Sequence, residues 1–257
     1  MTLPMTNDEQ QILNRRLLGY LRASALRSRN HERIGPFIAI FTLESDNVYL
    51  NYAIPDDDAD PAAADIAALI GAFGARKRKP RLEYIAAVAP KVEAALLAQG
   101  FAAEARVPVM TCRPGDERQA VAPGFEVFAA SGESDLTGAE QARAQAYGEP
   151  SHGPGGLRYT LNYGGVVAAA RDVASGSIAG AGTAMPPIDG ISEITGIGVC
   201  PQFRKRGVAG AITGLLAREA FAKGVTLAWL TPGGLGAERI YARAGFVVAS
   251  EALHISR

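Results

Sequence analysis

The stretch Val199-Cys-Pro-Gln-Phe-Arg-Lys-Arg-Gly-Val-Ala-Gly210 sets a basic, glycine-punctuated turn directly between a strand and a helix. Ahead of it, Ile191, Glu193, Thr195, Ile197 and Val199 alternate with Ser192, Ile194, Gly196 and Gly198, and their β-branched side chains predict a strand over 191–199. Behind it, Val208, Ile212, Leu215, Leu216 and Ala220 recur at the spacing of one helical face, with Arg218 and Lys223 where cations suit the helix dipole. The first amide hydrogens of such a helix have no partner within it and attract an anion. Gly207 and Gly210 let a phosphate approach the backbone with no Cβ in the way, and Arg204, Lys205 and Arg206 add positive charge. The segment reads either as a pyrophosphate cradle or as a solvated basic turn ahead of a helix.

Spacing excludes two familiar phosphate loops. A Walker loop needs G-x-x-x-x-G-K-S/T, and the dinucleotide fingerprint needs G-x-G-x-x-G at the strand-to-helix turn; neither is present. The pattern that is present, Arg204-x-x-Gly207-x-Ala209, resembles the coenzyme A signature Gln/Arg-x-x-Gly-x-Gly/Ala of the GNAT superfamily of acyltransferases. A second match lies downstream. After a strand at Thr226–Leu230, Gly234-x-x-Ala237-x-x-x-Tyr241-x-x-x-Gly245-Phe246 keeps every landmark of the family's N-x-x-A-x-x-x-Y-x-x-x-G-F segment except the Asn. The resemblance covers about residues 125–257 and implies an α/β (α+β) fold, a mixed and mostly antiparallel central sheet flanked by helices.

It also implies a coenzyme site with acetyl-CoA as co-substrate. The backbone of Ile197, Gly198 and Val199 would pair with the pantetheine arm like an added strand, and Arg204, Lys205, Arg206, Gly207, Val208, Ala209 and Gly210 would hold the pyrophosphate. Gly196 and Gly198 are consistent with a close approach to this strand. Tyr241 falls beside the coenzyme sulfur, as proton donor to the leaving thiolate or as a core aromatic of the short helix. Glu193, on the strand of the pantetheine arm, is a candidate general base if partial burial raises its pKa, or a strand-end charge facing solvent. Gly234 stands where relatives have the Asn whose side chain often contacts the coenzyme arm, and Gly233-Gly234 offers backbone access instead.

Composition bounds the rest. With 26 basic and 26 acidic residues the formal charge is zero, so no global field draws the chain to nucleic acid or an anionic membrane. Two cysteines, Cys112 and Cys200, give no disulfide framework and fit a reducing compartment. The N-terminal Met1-Thr-Leu-Pro-Met-Thr-Asn-Asp-Glu-Gln is polar rather than a signal sequence, no apolar run reaches the length of a membrane span, and a cytoplasmic location is expected. Three histidines and two distant cysteines form no ligand cluster, so no metal is expected. Cys200 has no His neighbour in sequence to activate it and reads as structural.

The Pro-, Gly- and charge-rich 113–124 reads as an interdomain linker, which gives a first domain over 1–114, a linker over 115–124 and a coenzyme-binding domain over 125–257. In the second domain, strands are expected at 125–130, 165–172 and 177–185, and a helix runs from Ser134 or Asp135 to about Tyr147. The irregular 149–156 follows it, in the place where this family commonly lines its acceptor pocket; Tyr147, Glu149, His152 and, on a later strand, Trp229 are the acceptor-side candidates.

The first half echoes this order: strands at 34–42 and 47–54, helix 62–75, strand 82–88, helix 91–98 and a strand from Phe101 to Cys112. A shift of 145 residues lays Gly245-Phe246 over Gly100-Phe101, and the same shift puts Leu96 opposite Tyr241. At the place of the cradle this copy has Asp56, Asp57, Asp58 and Asp60 and no glycine, a set that repels a pyrophosphate. The first half is therefore expected to bind no coenzyme and to support the second half or shape the acceptor pocket. The basic Lys77-Arg78-Lys79-Pro80-Arg81 has no interleaved aromatic residue to stack on bases and reads as a solvated helix end.

The expected activity is transfer of an acetyl group from acetyl-CoA to a primary amine of a small molecule or an amino terminus, by direct attack. A non-catalytic acyl-CoA-binding protein with a regulatory or scaffolding role is the alternative. Aminoacyl or peptidyl transfer, which usually needs a nucleic-acid or other large acceptor surface, fits the neutral charge less well. The acceptor amine and the oligomeric state are not written in the sequence.

Overall fold

In the computed structural model, residues 5–28, 30–42 and 47–257 are described; Met1–Pro4 of the N-terminal decapeptide lie outside them. The chain forms two compact units, one running to Pro108 and regaining Ala249–Arg257, the other Val109–Val248.

The first unit opens with α1 (Asn7–Ser28), which the sequence reading missed although its start is encoded locally. The Glu9 backbone N–H donates to the Thr6 hydroxyl and the Thr6 N–H donates to the Glu9 carboxylate, a reciprocal capping box. Leu13, Leu17, Leu18 and Tyr20 bury one face of the helix. A hairpin follows, β1 (Asn30–Ile34) and β2 (Phe37–Phe41), in place of one strand over 34–42, because Gly35 takes a left-handed φ of 52° ahead of Pro36 and reverses the chain. Then come β3 (Tyr52–Pro55), α2 (Ala63–Ala75), β4 (Arg81–Tyr84), α3 (Pro90–Ala98) and β5 (Ala102–Cys112). Short 3-10 turns at 48–50 and 86–88 occupy parts of the expected strands 47–54 and 82–88. The sheet order is β1-β2-β3-β4, then the C-terminal strand β11 (Val247–Ser256), then β5. Among its described strand pairs only β3 and β4 run parallel, pairing at Ala53 and Leu82. Ile66, Leu69 and Phe73 of α2 lie on one helical face and are buried, each contributing about 2 kcal/mol from removal of apolar surface.

The acidic loop of this unit is ion-paired rather than free. Asp56 meets Arg33, Asp57 meets Arg15 and Arg22, Asp58 meets Arg15, and Asp60 meets Lys91. The expected exclusion of a pyrophosphate would thus rest less on net repulsion than on a loop whose carboxylates already bind the local cations and which has no glycine.

A second charged group is buried. Arg81, only 1% exposed, bonds to Glu83 and Glu104, and Glu104 also accepts from Lys79 and from Ser256 at the end of β11. Burial works against ionised Glu104, but the hydrogen bonds from Lys79, Ser256 and Arg81 outweigh it and bring its carboxyl down to about 2. A carboxyl with a depressed folded pKa contributes stability above its unfolded value, near 4.5, and loses it as pH falls towards 2. Denaturant unfolding at a series of pH values should show Glu104→Gln costing stability at pH 7 and a shrinking difference from the parent between about pH 4.5 and 2.

The second unit takes up β5 at Val109 and continues with β6 (Phe125–Ala129), α4 (Glu133–Tyr147), α5 (Gly155–Asn162), β7 (Val166–Asp172), β8 (Ile178–Ala184), β9 (Ile191–Val199), α6 (Val208–Ala222), β10 (Leu227–Leu230) and α7 (Leu235–Arg243). Its sheet order is β5-β10-β9-β8-β7-β6, antiparallel throughout except for β9 and β10. Alternation splits the sheet's side chains between two cores. Val166, Ala168 and Ala170 face α6 with Ile212 and Leu216, while Val167, Ala169 and Ala181 face the other side with Leu136, Ala139 and Leu157. α5 was not expected from the sequence; Leu157 and Thr160 bury its inner face.

From helix through the following strands, cradle-position loop, helix, strand and helix, the first unit repeats the order of the second: α1-β1-β2-β3-α2-β4-α3 against α4-β7-β8-β9-α6-β10-α7, the second adding α5. Arg106 even bonds to Glu251, the residue 145 positions later. The unit boundaries nonetheless depart from the sequence division. The break falls after Pro108, the last strand of the chain joins the first unit, and 109–112 joins the second.

The segment 113–124, expected as a linker, is packed into the second unit. The Arg118 N–H donates to the Ala244 carbonyl, and the segment runs along α6 over Gly214, Gly210 and Gly207. A Cβ at Gly214 would come within 2.5 Å of the Arg118 carbonyl oxygen, and one at Gly207 within 3.3 Å of that of Val121. This cover explains why α6 is buried on nearly all sides rather than amphipathic.

Candidate active site

Strands β9 and β10 begin side by side and then part. Their parallel pairs are Leu227 with Ile191, Ala228 with Ser192 and Trp229 with Glu193, after which β9 runs on to Val199 without β10. Across β8, the register shifts between Ala181 and Thr183, where Gly196 takes φ 64°, a bulge that turns β9 at this point. The Cys200 N–H donates to the Ala179 carbonyl across the ladder. Alternation then turns the N–H and C=O of Val199 and Ile197 away from β8, towards the side β10 has left. Two of the three residues expected to pair with the pantetheine arm thus present their main chain to an open strand edge. Gly198 between them turns to β8 and has a different role. A Cβ on it would lie 2.8 Å from that of Ala146, and one on Gly196 would lie 2.5 Å from the Arg143 guanidinium. The close approach these glycines permit is that of α4.

At the end of β9 the chain makes a short 3-10 turn, Pro201–Phe203, and enters α6 through Gly207, its N-cap. Lys205 (φ 62°) and Gly207 (φ 84°) are left-handed, and such residues in a turn bring successive N–H groups to one side, a concavity suited to an anion. The three cations differ in their engagement. Arg204 donates to the carbonyls of Val199 (3.1 Å) and Ala146 (2.9 Å), tying the turn to β9 and to the end of α4. Arg206 stacks over the ring of Phe125 at 4.3 Å and stands 3.9 Å from the Asp172 carboxylate. Lys205 is exposed. Val208 is buried in the core, so among these residues it offers the site only its main chain.

Tyr241, on α7, is half-buried against the α6 core. Burial, with the neighbouring Tyr147 adding to it, pushes its phenol up to about 12, so it carries its proton at neutral pH. Glu193 sits at the last β9–β10 pair, where the strands part, half-buried. Gly234 starts α7 at φ 147°, a backbone that side-chain-bearing residues rarely adopt, which gives a physical reason for the missing Asn.

Of the acceptor-side residues, Tyr147 ends α4 with its hydroxyl donating to the Ile197 carbonyl at 3.0 Å, a contact the sequence gave no sign of. His152 is exposed, and Trp229 is buried on β10. An open depression lined by Glu133, Asp135, Gln141 and Arg171 lies at the other end of α4 from Tyr147, and its carboxylates are paired with Arg158 and Arg171. The Cys200 thiol is buried against the carbonyls of Ala142 and Ile178, and burial raises its pKa; burial also pushes Cys112 up to about 12, with Glu117 and Asp116 adding to it. Neither is set up as a nucleophile. Among the described residues there is no group of His, Cys, Asp and Glu able to hold a metal, and no helix long and apolar enough to cross a membrane.

The site is thus a strand pair that parts beside a basic, glycine-bearing helix entry within a mixed sheet. Residues 139–246 match the model of the Acetyltransferase (GNAT) family, so this part of the chain is a GNAT-family domain. No curated protein matches the chain. Among solved structures, a GCN5-related N-acetyltransferase from Kribbella flavida is similar over 95% of both chains at 23% identity and a TM-score of 0.78. One from Sphaerobacter thermophilus covers 86% of this chain and 76% of its own at 16% identity and a TM-score of 0.65. A tandem GNAT protein from the clavulanic acid biosynthesis pathway covers 99% and 96% at 12% identity and a TM-score of 0.60, so the fold of the whole chain is also that of a tandem arrangement.

Proposed function

We propose that the protein is an acetyl-CoA-dependent N-acetyltransferase, acting on a primary amine of a small molecule or an amino terminus, with one active site in the second unit. The observation that carries this reading is the open edge of β9 beyond the Glu193–Trp229 pair, leading straight into the Lys205–Gly207 turn. Backbone groups of Ile197 and Val199 pair with the pantetheine arm, and the turn from Arg204 to Gly210 binds the pyrophosphate through its main chain with Lys205 as the free-standing cation. Arg204 and Arg206 shape the turn and add field. The coenzyme, when bound, supplies the thioester and a thiol leaving group. Tyr241 donates its proton towards that thiol, and Glu193 takes the proton of the attacking amine, directly or through water. The buried thiols fit direct attack by the amine, and the reduced cysteines fit the cytoplasm.

Thiol release from acetyl-CoA in the presence of a panel of small amines and peptides tests the reading. Amine-dependent release supports it. Binding of acetyl-CoA without release for any amine would favour a non-catalytic acyl-CoA-binding protein instead.

A further inference from the structure

We propose that Tyr147 is a latch on the coenzyme edge, a residue whose hydrogen bond the pantetheine arm replaces, and that it links coenzyme binding to the segment after α4. The inference rests on the coenzyme reading above. The Ile197 carbonyl faces the side that β10 leaves, where an added strand would draw its hydrogen bonds. That carbonyl already has a donor, the Tyr147 hydroxyl at 3.0 Å. The ring reaches it by lying across β9 at Gly198, where a Cβ would come within 3.3 Å of the Tyr147 ring. Gly198 is thus the glycine that admits the latch.

Tyr147 is the last residue of α4, directly before Gly148 and the irregular 149–154. Its ring is half-exposed, so the side chain has room to swing outward once its hydroxyl is released. The neighbouring Arg204 makes the same kind of link, from the Val199 carbonyl to that of Ala146, but with two bonds on a rigid fork. The single bond of Tyr147 is the one a ligand amide exchanges most easily. A pantetheine N–H donating to Ile197 replaces the phenol, and the last turn of α4 loses a tie to the sheet.

Tyr147→Phe keeps the ring on Gly198 and removes the competing donor. Calorimetric titration with coenzyme A should then show binding about two- to tenfold tighter than the parent, the worth of one hydrogen bond that no longer has to be broken. In the parent, coenzyme A should raise backbone hydrogen exchange over Gly148–Gly156; in Tyr147→Phe that exchange should already be raised and change little on binding. Parent binding with equal or weaker affinity in the variant, or exchange that falls on binding, overturns the latch and leaves the coenzyme reading standing. A parent that binds no coenzyme A removes both.

Discussion

Tyr241→Phe is expected to lower the turnover of amine acetylation by about 10²- to 10⁴-fold while leaving coenzyme A affinity within a few-fold of the parent. The loss is one of proton supply. A thiolate leaving a tetrahedral intermediate needs a proton, and a phenol pushed up to about 12 by burial still holds one at any working pH. Phenylalanine keeps the ring against the α6 core and removes only the donor. Thiol release under saturating coenzyme and amine isolates the turnover. An unchanged turnover would return Tyr241 to the role of a core aromatic.

Gly245→Val should cost the second unit about 3–5 kcal/mol, the upper range for a point substitution. Gly245 has φ 101°, and a Cβ there would lie 2.0 Å from the Asp116 carbonyl oxygen and 3.0 Å from the Glu117 Cα. Those are main-chain atoms of the segment that bonds through the Arg118 N–H to Ala244, so they cannot yield as a side-chain tip would. Thermal unfolding followed by circular dichroism should show a midpoint about 10 °C below the parent. A midpoint within about 2 °C would mean that the 113–124 segment is loosely held after all.

The same segment shows where sequence reading stops. Its Pro, Gly and charged residues suit a linker and suit equally a strap laid over a helix; the deciding feature is the row Gly207, Gly210 and Gly214 on α6, whose spacing was legible but whose occupant was not. The strand–turn–helix at 191–222 was legible because alternation, left-handed glycine and helical spacing are local. α1 is equally local, with Thr6 and Glu9 as its capping pair, but its polar N-terminal stretch masks the start of the helix. The exchange of terminal strands left no trace in the sequence, since nothing in Ala249–Ser256 distinguishes the sheet it joins. For the site, residue type was visible and partnership was not. Arg204 and Arg206 read as phosphate ligands and are found bonded to carbonyls and stacked on Phe125, and the Asp56–Asp60 loop read as repulsive and is found neutralised.

With a cradle proposed in only one of two similar units, one coenzyme per chain is expected. Titration calorimetry of the full chain with acetyl-CoA, repeated with Lys205→Glu, reads both the stoichiometry and the contribution of the turn. One coenzyme should bind per chain, and at least tenfold more weakly in the variant, from replacing an attractive charge by a repulsive one beside the pyrophosphate. Two coenzymes per chain, none, or one whose affinity is indifferent to Lys205→Glu would contradict the proposed cradle.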